Sequence, residues 1–315
     1  EVSNPKVGMR GIVCIDNTAL GPGKGGIRMT PTITREEVFN LARAMTWKNA
    51  MAGLPFGGAK AGIIADDHQI TKEQKKKLIQ EFAKAIKIVC PSKYIAGPDM
   101  NTAEQEMQWF AKANGNLKSC TGKPTSMNGL PHELGSTGFG VFHATKVAIE
   151  FLKLDIKKLT FAVEGFGNVG NFATKFMTEA GATLVAVSDS RGTIYNAKGI
   201  DFRKVEQTKK KELTVIKYKD AEVLPTREIL KINADILITA AIPNLIQSED
   251  NDYLKFKIII SGSNIPTTNE NEEIIYKKGI LMIPDFVANA GGVISSYVEY
   301  KGGNKKEMFV LVEKK

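Results

Sequence analysis

The feature that most constrains the fold is the glycine-rich segment GFGNVG at residues 165–170. It follows LTFAVEG at 159–165, a run typical of a buried strand, and it opens a segment with helical character. A strand, a glycine-rich turn and a helix in this order form the fingerprint of dinucleotide-binding folds. In that fingerprint Gly165 permits the tight turn, Gly167 lets backbone approach a pyrophosphate, and Gly170 allows helix to pack on strand. The sequence therefore predicts a dinucleotide site at this turn.

The same fingerprint indicates which residues would hold the cofactor. The start of the predicted helix, at Asn168 and Val169, offers backbone N–H groups to a pyrophosphate. Asp189 lies 19 residues after the last glycine, where a carboxylate usually binds the ribose 2′-OH of NAD. Its neighbours Ser190 and Arg191 suit the 2′-phosphate of NADP, so both cofactors stay open. A glycine-rich turn that binds nothing is the alternative interpretation.

The second half of the chain alternates short apolar runs with helical segments. Continuous apolar strands separated by helices predict a parallel sheet covered on both faces, as in doubly wound α/β folds. Helical patterns dominate the first half, with capping sequences at Thr34 and Thr71 and a third predicted helix from Thr102 to Trp109. The predicted strands are 159–165, 182–189, 234–239, 256–261 and 279–284.

The length of the chain allows more than one domain. Its 315 residues are enough for two domains with separate cores. The pattern breaks near residues 132–138, where we place the boundary. The predicted domains are 1–134, joined by a C-terminal helical segment at 289–315, and a dinucleotide-binding domain at 135–288.

Charge and cysteine content limit the classes of partner. The formal net charge is +9, but the lysine runs at 75–77 and 209–211 lie in polar segments without interleaved aromatics, so we expect no nucleic-acid partner. No apolar run is long enough to span a membrane. The three cysteines, Cys14, Cys90 and Cys120, lack metal-ligand spacing and there are three histidines, so we expect no metal site. Unpaired cysteines favour a reducing cytoplasm.

Three lysines of the first half lie in unusual surroundings. Lys24 is in GPGKGGIRM, Lys48 is near the end of an apolar helix, and Lys60 is in PFGGAKAGI. Each alone would be interpreted as a surface lysine, but together they indicate a cationic pocket for a small anion. We expect crowding to lower the pKa of Lys60 towards neutrality, and the nearby glycines to let a substrate approach. Asp99, in AGPDMNT, is the candidate carboxylate, with a turn residue as the alternative.

Taken together, these segments resemble the glutamate/leucine/phenylalanine/valine dehydrogenase family. The resemblance implies oxidation of an L-amino acid by hydride transfer to NAD or NADP, followed by hydrolysis of the imine to a 2-oxo acid and ammonia. It also implies an α/β fold with an N-terminal α/β substrate domain, a C-terminal Rossmann-type doubly wound dinucleotide-binding domain, a cleft between them, and a hexamer. The matching stretches are KGGIRM, LARAMTWKNAMAGLPFGGAKAGI, GPDMNT, TGKP, STGFGV, EGFGNVG, ADILITAAIPN, SNIPTT and PDFVANAGGVISSYVEY.

The resemblance assigns roles to individual residues. Lys60 is implied to polarise the carbonyl and activate the attacking water. Asp99 is implied to carry a proton to and from the nitrogen, and Lys48 to bind the α-carboxylate. The further site residues implied by the motifs are Gly26 for the substrate, and Thr137, Ala241 and Asn264 for the cofactor.

Two features favour L-glutamate and 2-oxoglutarate, with ammonia, as the substrates. Glutamate-type members of the family carry a lysine directly before the Gly-Gly pair, where it meets the γ-carboxylate, and this chain has Lys24 there. They also carry the valine and serine found here as Val293 and Ser296. A buried ammonium would be left unpaired on an apolar substrate, which gives discrimination. The alternatives are a leucine-, phenylalanine- or valine-type enzyme, or a catalytically silent regulatory subunit with this fold.

Overall fold

The computed structural model describes residues 1–131 and 134–315. Residues 132 and 133, which fall within the predicted boundary segment, lie outside the described residues. The chain divides into two compact units: Glu1–Leu134 together with Gly292–Lys315, and Gly135–Gly291. Each unit has its own sheet and core.

The first unit contains a mixed sheet of six strands within the described residues. Its elements up to the second unit are β1 Val2–Asn4, β2 Met9–Asn17, β3 Gly23–Lys24, β4 Ile27–Thr30, α1 Arg35–Met51, β5 Gly57–Ile64, α2 Lys72–Ala85, β6 Tyr94–Ile95 and α3 Glu104–Asn114. The strand order is β1-β2-β5-β3-β6, and β4 also pairs with β5. β5 runs antiparallel to β2 and parallel to β3 and β4.

The central strand β5 has two different faces. Side chains alternate across a strand, and on one face Ala59, Ala61 and Ile63 are fully buried in the core formed with α2 and α3. The other face carries Gly58, Lys60 and Gly62 and packs against α1. The two glycines on that face let α1 lie close to the strand. Lys60 carries the one long side chain among these three residues.

Of the three helix starts predicted in this unit, two follow the capping rules. The Thr34 side chain accepts a hydrogen bond from the N–H of Glu37, and Thr71 forms a complete capping box with Gln74. The predicted cap at Thr102 is wrong, because α3 begins two residues later, with Ala103 as its N-cap, and continues beyond its predicted end.

The second unit contains a sheet of seven strands in the part of the chain that is described. Its elements are α4 Ser136–Phe151, β7 Thr160–Glu164, α5 Asn168–Glu179, β8 Thr183–Asp189, β9 Gly192–Tyr195, α6 Phe202–Glu212, β10 Glu222–Leu224, β11 Ile236–Thr239, β12 Ile258–Ser261, α7 Asn269–Lys277, β13 Leu281–Ile283 and α8 Asp285–Ala288. The order is β10-β9-β8-β7-β11-β12-β13, and the strand order reverses between β7 and β11.

This sheet has a parallel core with one antiparallel edge. β8, β7, β11, β12 and β13 are parallel neighbours, whereas β9 and β10 are antiparallel. The five predicted strands are confirmed, and the two antiparallel ones were not predicted. Both faces are buried: Phe161 and Val163 enter one core cluster, and Ala162 enters another. The predicted α/β doubly wound class is therefore confirmed.

The chain ends in two helices, α9 Gly291–Tyr300 and α10 Lys305–Lys314. From Gly292 onward they belong to the first unit. None of the helices in the described ranges is long and apolar enough to cross a membrane. The described residues also contain no group of three His, Cys, Asp or Glu side chains able to hold a metal ion.

Candidate active site

The buried Lys60 forms an ion pair in the first unit with Asp99, whose side chain is 15% exposed. Lys60 projects from the middle of β5 and is 7% exposed. Asp99 lies on the loop after β6, and its N–H donates to the hydroxyl of Thr102, which in turn donates to the Ile27 carbonyl. These two bonds explain why Thr102 caps no helix: its hydroxyl fixes the loop that presents Asp99.

A second cation, Arg28, lies beside the same carboxylate. Its guanidinium is 3.4 Å from Asp99 Oδ1 and 2.8 Å from Glu37 Oε1. Burial alone would raise the pKa of Asp99, but the charges of Lys60 and Arg28 and the hydrogen bonds from Lys60 and the Met100 N–H outweigh burial, so its pKa is lowered. Asp99 is thus an ionised carboxylate in a cationic setting. Arg28 was missed in the sequence, although it lies inside the KGGIRM motif.

Lys24 is the most deeply placed of the three lysines. It is 3% exposed and its ammonium donates to the Ala96 carbonyl at 2.8 Å. A Cβ atom at Gly97 would lie 2.4 Å from the Lys24 Nζ, so that glycine is needed to accommodate the amine. Burial lowers the pKa of Lys24 to about 8, and the smaller contributions of Lys123 and Lys60 in the same direction are opposed by the negative charge of Glu299. Burial, and not the crowding of cations that we expected around Lys60, is thus the main cause of this shift, and Lys60 itself has a carboxylate partner.

The glycines around Lys60 accommodate protein backbone. A Cβ atom at Gly57 would lie 1.9 Å from the Asn17 carbonyl oxygen, and one at Gly58 would lie 2.0 Å from Thr46 Oγ1 on α1. The expectation that these glycines clear space for a substrate is therefore wrong. They allow β5 to be enclosed on all sides, which holds the Lys60 stem in place.

Gly26 has a related role on the neighbouring segment. A Cβ atom there would lie 2.5 Å from the Pro98 carbonyl oxygen and 2.8 Å from the Asp99 Cβ. The absence of a side chain at Gly26 therefore lets the Asp99 loop approach the KGGIRM segment. Its predicted contact with substrate stays a prediction.

The remaining predicted substrate residues lie on helices of this unit. Lys48 is partly exposed in the last turn of α1. The adjacent Asn49 is fully buried and donates to the Gly57 carbonyl at 2.7 Å, which ties that turn to the start of β5. Val293 and Ser296 are partly buried on α9, and a spacing of three residues places them on one helix face.

A buried network that the sequence did not reveal ties α9 to the same unit. The Glu299 carboxylate accepts from the Lys123 ammonium at 2.5 Å, from the Gly122 N–H at 2.9 Å and from the Leu130 N–H at 2.7 Å. Phe56, just before β5, packs its ring edge-on against two tyrosines of α9. These contacts fix the helix that carries Val293 and Ser296. TGKP contained Lys123, but nothing in the sequence paired it with a residue 176 positions away.

In the second unit, the glycine-rich turn leads from β7 into α5. Gly165 has a φ of +91°, which favours glycine. A Cβ atom at Gly170 would lie 1.8 Å from the Gly165 carbonyl oxygen, so helix and turn are in close contact. A Cβ atom at Gly167, the N-cap of α5, would meet nothing within 4 Å, and no side chain caps the helix there. Open space before uncapped N–H groups fits a pyrophosphate.

The polar side chains at this turn find only some of their hydrogen-bond partners within the protein. The Asn168 Oδ1, in the first turn of α5 beside Val169, is buried without a hydrogen-bond partner. Glu164 at the end of β7 accepts from the N–H groups of Ala240 and Ala241, both at 3.1 Å. Burial raises the pKa of Glu164 in spite of these bonds. Glu164 was missed in the sequence, although it is the first residue of the EGFGNVG motif.

The other predicted cofactor residues lie on separate elements of the second unit. Thr137 is buried in the first turn of α4. Ala241 follows β11, and its Cβ would be 2.5 Å from a Cβ at Gly165. Asn264 follows β12, and its Oδ1 accepts from the Asn289 side chain at 2.9 Å. The structure places Ala241 against the glycine-rich turn, and the roles of all three stay predictions.

Asp189 lies at the end of β8 and is 7% exposed. Burial opposes its ionisation, but hydrogen bonds from Lys209, from two backbone N–H groups and from Thr214 lower its pKa. Ser190 and Arg191, which follow it, are exposed.

Comparison with known protein families identifies the family to which the chain belongs. The family model described as Glutamate/Leucine/Phenylalanine/Valine dehydrogenase matches residues 129–313. The model described as Glu/Leu/Phe/Val dehydrogenase, dimerisation domain, matches residues 3–115. The chain belongs to the Glu/Leu/Phe/Val dehydrogenase family. The resemblance inferred from the motifs is therefore confirmed over most of the chain.

Individual members of the Glu/Leu/Phe/Val dehydrogenase family are similar to it over most of their length. The chain is 43% identical to a glutamate dehydrogenase of Aeropyrum pernix over 291 residues, which cover 90% of this chain and 70% of that protein. It is 38% identical to an NADP-specific glutamate dehydrogenase of Saccharolobus shibatae, covering 90% of this chain and 69% of that one. The solved hetero-hexameric glutamate dehydrogenase of Thermus thermophilus, in its leucine-bound form, has a TM-score of 0.88 at 25% identity and covers 97% of this chain and 76% of its own.

Proposed function

We propose that the protein catalyses the reversible oxidative deamination of L-glutamate to 2-oxoglutarate and ammonia, with hydride transfer to NAD or NADP. The observation that carries the choice of glutamate is the buried Lys24 ammonium, which forms no ion pair within residues 1–131 and 134–315. A dicarboxylate substrate supplies the missing negative charge, whereas an apolar amino acid leaves the cation desolvated and unpaired. The relatives named glutamate dehydrogenases, at 38% and 43% identity, support the same reaction.

In this proposal the residues of the first unit bind the two ends of the substrate. Lys24 binds the γ-carboxylate, and Lys48 binds the α-carboxylate. Val293 and Ser296 complete the substrate site from α9, whose position depends on the Glu299 network. In this arrangement two cations and a helix face of the same unit hold the α-carbon near the Lys60–Asp99 pair.

The ion pair then performs the proton chemistry. The ionised Asp99 takes a proton from the substrate ammonium, and because its pKa is lowered it also returns that proton readily. Loss of the α-hydrogen as a hydride to NAD or NADP would turn the deprotonated amine into an imine. Lys60 orients the water that attacks the imine carbon and stabilises the oxygen of the resulting carbinolamine. Loss of ammonia from that carbon gives the 2-oxo acid. In the net reaction, one water is consumed, the nicotinamide receives a hydride, and one proton is released to solvent.

Bound NAD or NADP supplies the hydride acceptor. The residues that we propose to hold it are those of the glycine-rich turn and of the helix that it opens, at 165–170. Thr137 and Asn264 are proposed to bind the carboxamide of the nicotinamide. The open space at Gly167 is the feature that supports this assignment.

The test is an absorbance assay of the reduced nicotinamide with 2-oxoglutarate plus ammonia, using NADH and NADPH in turn. We expect oxidation with at least one of them, and little with 2-oxoisocaproate, which lacks the second carboxylate. Preference for 2-oxoisocaproate would support a leucine-type enzyme. Absence of turnover with any pair would support the silent-subunit alternative, which the retained Lys60–Asp99 pair disfavours.

We also propose a homohexamer in the cytoplasm. The Thermus thermophilus structure of the same fold is described as hetero-hexameric. Cys14, Cys90 and Cys120 are free thiols, which is usual in a reducing compartment. Light scattering of the purified chain during gel filtration tests the assembly, and a mass of one or two subunits would overturn it.

A further inference from the structure

The Asp189 carboxylate accepts its hydrogen bonds from groups of the protein itself. Its Oδ1 accepts from the Arg191 N–H at 2.9 Å and from the Thr214 hydroxyl at 3.2 Å. Its Oδ2 accepts from the Lys209 ammonium at 2.7 Å and from the Val215 N–H at 2.8 Å. A carboxylate has about four acceptor positions, so these four donors occupy them. The Asp189 side chain is also only 5% exposed.

These bonds connect three separate segments. Arg191 belongs to the turn between β8 and β9, Lys209 lies in the last turns of α6, and Val215 begins a short 3-10 helix. The negative charge of Asp189 is balanced by Lys209, whose side chain is 29% exposed whereas that of Asp189 is largely removed from solvent. Asp189 therefore has neither a free acceptor nor an uncompensated charge to offer to a ribose 2′-OH.

The side chain of Arg191, two residues after Asp189, differs from that carboxylate in its exposure and in its charge pairing. The backbone N–H of Arg191 is held by Asp189, while its side chain is exposed and forms no ion pair in the described part of the chain. Ser190 is exposed as well and contributes a hydroxyl. After Lys209 neutralises Asp189, one positive charge, that of Arg191, remains at the end of β8. This position follows the second strand of the βαβ unit, where the adenosine ribose binds in this class of fold.

We propose that Arg191 selects the 2′-phosphate of NADP, and that Asp189 is a positioning residue that holds the Arg191 turn. The inference rests on the proposed function only in assuming a dinucleotide at 165–170. A guanidinium binds a phosphate through charge-assisted, bidentate hydrogen bonds. A ribose 2′-OH gains much less from the same group.

The experiment measures dissociation constants of NADPH and NADH by the fluorescence of the reduced nicotinamide, without amino-acid substrate. We expect the unmodified chain to bind NADPH at least about tenfold more tightly than NADH. Arg191→Ala should remove that preference and change the NADH constant by less than about twofold. Adenosine 2′,5′-bisphosphate should displace NADPH better than AMP from the unmodified chain, and no better from Arg191→Ala.

Arg203→Ala is the matched control, since Arg203 is an exposed arginine at the start of α6 and should change neither constant. Asp189→Asn tests the positioning role, and we expect it to reduce the NADPH preference without a selective loss of NADH. A selective loss of NADH binding in Asp189→Asn would show that Asp189 binds the ribose. Equal or tighter binding of NADH by the unmodified chain would also overturn the proposal. NADPH binding without glutamate turnover would instead refute the proposed function alone, and absence of both cofactors from the site would refute both.

Discussion

The segments PFGGAKAGI at 55–63 and EGFGNVG at 164–170 each contain three glycines, but they use them differently. In the first, the space of each missing side chain is filled by the protein, for example by Thr46 of α1 at Gly58. In the second, two glycines are filled in this way, but Gly167 faces open space at a helix N-terminus. Glycine content alone therefore does not identify a ligand site. The neighbouring atoms do.

The same contrast applies to charge. The first unit gathers the buried Lys24 and Lys60 and the partly buried Asp99 as groups whose charges act on one another. The turn in the second unit offers backbone N–H groups and a helix N-terminus, which carry partial charges and no titratable proton. Chemistry that moves protons is thus expected in the first unit, and binding of an anion in the second.

The largest effect is expected from Lys60→Ala. It removes the long side chain from the enclosed face of β5, and the loss of a positioned acid–base group lowers turnover by about 10³-fold or more. The NADPH and NADH dissociation constants should stay within about twofold of the unmodified values, since Lys60 is assigned no contact with the cofactor. Lys112→Ala, at an exposed lysine of α3, is the control and should be neutral. Near-normal turnover of Lys60→Ala would contradict the assignment.

Lys24→Leu is expected to have the next largest effect. It replaces a buried ammonium by an apolar side chain, so kcat/KM for glutamate should fall by about 10²- to 10³-fold. Activity on leucine or norvaline should rise relative to glutamate, because no buried cation is left unpaired. The ratio of the two kcat/KM values is the measurement, and unchanged glutamate kinetics would refute the role of Lys24.

The two glycine-rich segments can be compared directly by adding one methyl group to each. Gly167→Ala should fold normally, because its Cβ meets nothing within 4 Å, yet weaken dinucleotide binding by about 10- to 100-fold if that space holds the pyrophosphate. Gly58→Ala should lower the free energy of unfolding by about 3 kcal/mol through its clash with Thr46. Urea unfolding and fluorescence titration of both variants give the two readouts. Normal cofactor affinity in Gly167→Ala would show that the open space is not the binding site.

The sequence predicted the second unit better than the first for a physical reason. Strands of a covered parallel sheet are continuous apolar runs, and the glycine fingerprint is local, so β7, α5 and β8 could all be recognised from neighbouring residues. β9 and β10 were missed because they form an antiparallel edge that is not part of that pattern.

In the first unit, the sheet depends on contacts between distant segments. β3 and β6 have only two residues each, and β5 is rich in glycine and alanine, so neither apolar alternation nor strand propensity marks them. The candidate lysines were identified from their motifs. Arg28, which pairs with Asp99, and Glu299, which pairs with Lys123, are brought to these partners by the tertiary structure, as is the burial that lowers the pKa of Lys24.

The smallest expected effect is a pH dependence of dicarboxylate binding that reports the protonation of Lys24 alone. The pKa of Lys24 is lowered to about 8, so its ammonium is fully present below that pH and is lost above it. A dicarboxylate binds the charged form, so above about pH 8 the free protein must take up a proton to bind it. The inhibition constant of glutarate should therefore be constant below this pH and about tenfold weaker one unit above it.

Two controls show whether Lys24 is the group that titrates. Valerate has one carboxylate and needs no γ-carboxylate partner, so its inhibition constant should change by less than about twofold over the same range. In Lys24→Leu, glutarate should bind weakly at every pH, with no inflection near pH 8. An inflection that persists in Lys24→Leu would place the titrating group elsewhere. In that case another titratable residue, and not Lys24, would control the pH dependence of glutarate binding.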